Sequence, residues 1–143
     1  MRFWDTSALL PLVVTEPETA RAERWLREDP GVLVWTLTRV ELLAALARRR
    51  REEPATARRM AGARAEVLSA WEQWIEITAL EPVRRHAERL VETHPLRSAA
   101  ALQIAAAIVA AEGRPESLDF VTFDRRQAEA AEREGFRVLS RRP

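Results

Sequence analysis

Five short apolar runs, each separated from the next by one or more helical patterns, constrain this chain more than any other feature. Residues 2–5, Val32–Trp35, Glu76–Ala79, Asp119–Thr122 and Phe136–Leu139 read as strands. Helical patterns fall near 6–14, 17–28, 37–51, 54–74, 82–92, 97–112 and 125–134. Strands joined through helices need crossovers rather than hairpins, which makes the sheet parallel and puts helices over both faces. Pro17, Pro54 and Pro82 suit first helical turns, where a missing N–H costs nothing, and Pro30-Gly31 and Arg114-Pro115 mark stops. No linker, repeat or low-complexity segment interrupts the pattern. The expectation is one α/β domain over residues 1–143, long enough to bury roughly 70 % of its unfolded surface.

Two helical segments carry extra information. Met60, Ala63, Val67, Ala70, Trp71 and Trp74 recur at helical spacing in the segment 54–74 and read as a core stripe, with a partner surface as the alternative. Arg48 to Arg51 close the helix that begins near Leu37, where positive charge complements the helix dipole. That reading makes them a solvated helix end, and a nucleic-acid patch is the alternative.

Three acids fall at or just beyond strand ends. Asp5 follows Phe3-Trp4 and precedes Thr6-Ser7, at a strand-to-helix turn of the kind where open α/β sheets bind ligands. Asp124 repeats that geometry after Phe120-Val121-Thr122-Phe123. Glu41 lies in the helix directly after the strand at 32–35, next to a stripe formed by residues 37, 40, 44 and 47. Each has a bland reading: a helix cap for Asp5 and Asp124, a surface glutamate for Glu41. Adjacent parallel strands would bring all three to one edge, where crowded carboxylates require a divalent cation or protons. Magnesium or manganese, which take oxygen ligands and water, suit such a set and can promote in-line phosphodiester hydrolysis.

Composition removes the competing chemistries. The chain has no cysteine, so disulfides, zinc–thiolate sites and thiol nucleophiles are excluded together. The chain has 23 arginines and no lysine, which excludes a Walker-type phosphate loop and a Schiff-base lysine. A formal net charge of +1 is no nucleic-acid signal by itself. His86 and His94 do not have the spacing of a helical zinc pair, and the four glycines form no dinucleotide fingerprint. No apolar stretch approaches the roughly 20 residues of a membrane span. The run Ala8–Val14 is flanked by Asp5 and by Glu16-Pro17-Glu18 without a cleavage pattern, so the reading is a cytoplasmic protein with no membrane partner.

Four segments in order resemble the PIN-domain family, and within it the VapC-like ribonuclease toxins of toxin–antitoxin pairs. Phe3-Trp4-Asp5-Thr6-Ser7-Ala8-Leu9 is similar to the opening strand and first metal acid. Thr38-Arg39-Val40-Glu41-Leu42 resembles the second-acid segment, and Phe120-Val121-Thr122-Phe123-Asp124 the last. The stretch from His94 to Ala105 resembles the third-acid helix, but Ala100 stands where the family usually has aspartate. Helical directions are read as bringing none of Ser98, Gln103 and Glu92 to the Ala100 position, and Ala100 itself as a helix-packing residue among alanines.

The resemblance implies a three-layer α/β/α fold with a five-stranded parallel sheet, and Mg²⁺- or Mn²⁺-dependent hydrolysis of RNA. It implies Asp5, Glu41 and Asp124 as the catalytic metal ligands, a homodimer, and a small antitoxin partner. Arg97 or Arg125 would steady the scissile phosphate, and Thr6 or Thr122 would orient water. The loss at Ala100 is expected to impair the nuclease; the alternative is a catalytically disabled PIN fold that binds RNA or an antitoxin-like partner.

Overall fold

A computed structural model describes residues 1–141. The strands are β1 (Arg2–Trp4), β2 (Val32–Trp35), β3 (Ile75–Ile77), β4 (Asp119–Val121) and β5 (Arg137–Leu139). They form one sheet in the order β3-β2-β1-β4-β5, and every pairing is parallel. The helices are α1 (Thr6–Val13), α2 (Thr19–Glu28), α3 (Thr38–Glu52), α4 (Ala57–Trp71), α5 (Leu80–Thr93), α6 (Ser98–Ala110) and α7 (Arg125–Arg133). From β1 the chain winds outward through β2 and β3, then returns to the other side of β1 for β4 and β5. The boundary between β1 and β4 is therefore the topological switch point, where a crevice opens beyond the carboxyl ends of the strands.

Strand side chains alternate between two cores, as the pleat requires. Phe3, Leu33, Trp35 and Phe120 point to the layer of α5, α6 and α7. Trp4, Val32, Val34 and Val121 point to the layer of α1, α2, α3 and α4. Helix α6 can lie close because its core face is made of Ala101, Ala105, Ala106 and Ala107, all fully buried. The stripe on α4 is core, with Met60, Ala63, Val67 and Trp71 buried, and Trp74 packs against the same cluster.

Three local readings change. The third strand begins and ends earlier than Glu76–Ala79, because its register is set by β2: Leu33 pairs with Ile75 and Trp35 with Ile77. The segment from Pro54 opens as a 3-10 turn, Pro54–Thr56, and α4 ends at Trp71. Helix α3 turns a different face inward from the expected one. Thr38, Leu42 and Leu46 are buried, whereas Leu37 and Val40 are exposed. This helix has apolar side chains nearly all round, so sequence periodicity alone does not select its buried face.

The amino-terminal edge of the sheet is neutralised by ion pairs. Asp119 accepts from Arg2 and Arg137. Burial pushes its carboxyl upward, but hydrogen bonds and positive charge from those arginines outweigh burial and hold it below the usual carboxylate range. His94 is likewise structural: its Nε2 lies 2.9 Å from Glu134, which Arg89 also holds, tying the end of α5 to the end of α7.

Candidate active site

The carboxyl edge of the same sheet is built on different terms. Asp5 caps α1, accepting from the Ala8 amide at 3.0 Å, and its side chain is fully buried. Its carboxylate also accepts from Ser7 Oγ at 2.8 and 3.0 Å and from Thr122 Oγ1 at 2.7 Å. Ser7 accepts in turn from the Phe123 amide, and Thr122 from the Asp124 amide. Two hydroxyls thus lock the loop after β4 onto the end of β1. Burial pushes the Asp5 carboxyl up strongly, hydrogen bonds from Thr122, Ser7 and Ala8 pull it back, and the nearby charge of Asp124 raises it again. The outcome is a pKa of about 7.

Asp124 is exposed and caps α7 through the Gln127 amide at 2.9 Å. The capping readings of Asp5 and Asp124 are therefore true, and the two caps sit beyond the carboxyl ends of β1 and β4, on either side of the switch point. Glu41, half-buried on α3, accepts from Thr6 Oγ1 at 2.6 Å. No ion pair among the described residues reaches Asp5, Glu41 or Asp124.

The three acids reach one edge but not one point. Asp5 and Asp124 lie close enough to repel, and Glu41 joins them through its neighbour Thr6. Among the described residues, no three histidine, cysteine, aspartate or glutamate side chains gather closely enough to hold a metal ion. The donor chemistry nevertheless fits a hard cation: carboxylates and threonine and serine hydroxyls, all oxygen donors. Fully buried Asp5, with no cationic side chain against it among the described residues, is the group such an ion would satisfy.

Sequence reasoning excluded Gln103, and the structure places it inside this cluster. Its Nε2 donates to Thr38 Oγ1 at 2.8 Å and to Thr6 Oγ1 at 3.1 Å, and lies 3.4 Å from both oxygens of Glu41. The usable signal was the lean of helical side chains toward the helix N-terminus. A long side chain at 103 covers the turn that contains Ala100. Thr38 was missed for a related reason, since its helix was assigned the wrong inner face.

Ala100 is not a packing residue. It is half-exposed and lines a cleft of about 490 Å³ with Pro95, Leu96, Arg97, Asp124, Arg125 and Arg126. The cleft places three guanidinium-bearing residues beside one carboxylate, at the position where the third acid was expected.

Comparison with known proteins accords with this geometry. Residues 2–133 match the PIN domain. Over 144 residues the chain is 34 % identical to Ribonuclease VapC47 of Mycobacterium tuberculosis (strain CDC 1551 / Oshkosh), covering 98 % of this chain and 96 % of that protein. Two solved structures share the fold. One is a toxin–antitoxin complex from Klebsiella pneumoniae, with a TM-score of 0.64, 15 % identity and 87 % of each chain covered. The other is FitAcB from Neisseria gonorrhoeae, with a TM-score of 0.58 and 18 % identity, covering 97 % of this chain and 96 % of that one. The chain belongs to the PIN-domain family, with a VapC ribonuclease as a relative over nearly its whole length.

Proposed function

We propose that this chain, acting as one domain over residues 1–143, is a metal-dependent endoribonuclease and the toxin of a toxin–antitoxin pair. The observation that carries the reading is Asp5: a fully buried carboxylate at the switch point, pressed by Asp124 and given no cationic side chain among the described residues. Asp5, Glu41 and Asp124 are the residues that would hold Mg²⁺ or Mn²⁺. Bound there, the ion would neutralise the acids and supply Lewis-acid assistance to phosphodiester hydrolysis.

The chain's own groups do the rest. Ser7 and Thr122 fix the Asp5 carboxylate, and Thr6 fixes Glu41. Arg97, Arg125 and Arg126 line the adjoining cleft, where guanidinium groups suit the phosphates of an RNA strand. Identity with Ribonuclease VapC47 supports RNA as substrate, and the toxin–antitoxin neighbour supports a small antitoxin partner. A homodimer and a cytoplasmic location complete the reading. Among the described residues no helix is long and apolar enough to cross a membrane.

A second reading rests on Ala100, which leaves one wall of the cleft without a carboxylate. In it the fold binds RNA or an antitoxin but no longer cuts. Incubation of purified protein with a mixed set of structured RNAs and Mn²⁺ separates the two. Cleavage by the native chain that is lost in Asp5→Asn establishes the nuclease. A silent native chain beside an active Ala100→Asp variant establishes a disabled one. Silence in both removes the nuclease reading.

A further inference from the structure

Gln103 is 1 % exposed and sits one helical turn after Ala100 on α6. Its two N–H groups have acceptors in Thr38, Thr6 and the Glu41 carboxylate. Its other polar atom, Oε1, is buried and has no hydrogen-bond partner among the described residues. An amide so placed is costly for a core position, because a buried carbonyl oxygen without a donor forfeits its hydration. Nε2 faces the Glu41 carboxylate as a donor, and turning Oε1 toward that carboxylate would set acceptor against acceptors unless a cation lay between them. Turning the carboxamide end for end exchanges nitrogen for oxygen in nearly the same volume, and threonine hydroxyls can donate as well as accept. The carboxamide can therefore present either atom to Glu41. A cation held by Glu41 favours the oxygen.

We propose that Gln103 is a ligand of the divalent cation, its Oε1 supplying beside Glu41 a neutral oxygen where Ala100 supplies none. The inference rests on the reading of this edge as a cation site. It assigns the site an uncharged donor in place of a carboxylate, which suits magnesium and manganese as oxygen-seeking ions. It also limits the negative charge gathered at this edge, where Asp5 and Asp124 already repel.

Mn²⁺ titration of the full chain by calorimetry tests the assignment, with Gln103→Met and Gln103→Glu beside the native protein. Gln103→Met keeps length and removes both polar atoms, and is expected to weaken Mn²⁺ binding by about tenfold or more. Gln103→Glu is expected to tighten binding several-fold and to lower the melting temperature in chelator, because it adds a charge opposite Glu41. Native affinity in Gln103→Met, or weaker binding in Gln103→Glu, overturns the proposal and leaves the cation site standing. A folded native chain that binds no Mn²⁺ overturns the cation reading itself. Should Gln103→Met fail to fold, the sign of the change in Gln103→Glu decides.

Discussion

At the scale of single residues, Asp5 couples folding to pH. Its carboxyl ionises near 3.8 when unfolded and near 7 in the fold, because burial outweighs three hydrogen bonds. Below the lower value both states are protonated and the group takes nothing from stability. Between the two, the native state binds a proton that the unfolded state has released, so stability falls as pH rises, and it levels above the upper value. In chelator, the native chain is expected to lose about 2–3 kcal/mol between roughly pH 5 and pH 8 that Asp5→Asn does not lose. Urea unfolding at the two pH values checks this, and parallel losses in both proteins would contradict it. Ala100→Asp acts in the same currency. A carboxylate added to the cleft wall beside Asp124 should lower the melting temperature in chelator and enlarge the gain on adding Mn²⁺. Unchanged melts in both conditions would remove Ala100 from the site.

The acids were legible at this scale because each follows a recognisable strand. Gln103 was not, because its contribution depends on side-chain lean across a helix turn rather than on sequence spacing.

At the scale of elements, α3 shows where patterning runs out. Its apolar residues occupy several faces, so the inward face is chosen by tertiary contacts: Thr38 meets Gln103, and Leu42 and Leu46 meet the core of α1 and α4. Helix α4, with one apolar stripe, was readable in advance. Leu42→Ala is expected to cost about 2–5 kcal/mol, the range for truncating a fully buried leucine. Val40→Ala, two residues away and 63 % exposed, is expected to stay within about 0.5 kcal/mol. Thermal or urea unfolding of the pair tests which face is inside, and equal losses would restore the face expected from sequence. The third strand carries a smaller lesson. Short edge strands take their bounds from the neighbour they pair with, so Ile75–Ile77 follows from β2 rather than from its own residues.

At the scale of the whole molecule, the two edges of one sheet are treated oppositely. At the amino edge Asp119 is matched by Arg2 and Arg137; at the carboxyl edge Asp5, Glu41 and Asp124 have hydroxyl and amide donors but, among the described residues, no cationic partner. The alternation of strands and helices made the parallel sheet readable. The strand order that seats Asp5 beside Asp124 at the switch point comes only from the folded topology.

An ion that binds the native state alone stabilises it by mass action, by about 2.7 kcal/mol at a hundredfold excess over its dissociation constant. The most direct measurement is therefore the melting temperature across a Mn²⁺ titration at pH above 7, for the native chain and for Asp5→Asn. A progressive rise in the native protein that is largely absent in Asp5→Asn is the expected result. No rise, or the same rise in both, would contradict a cation site built on Asp5.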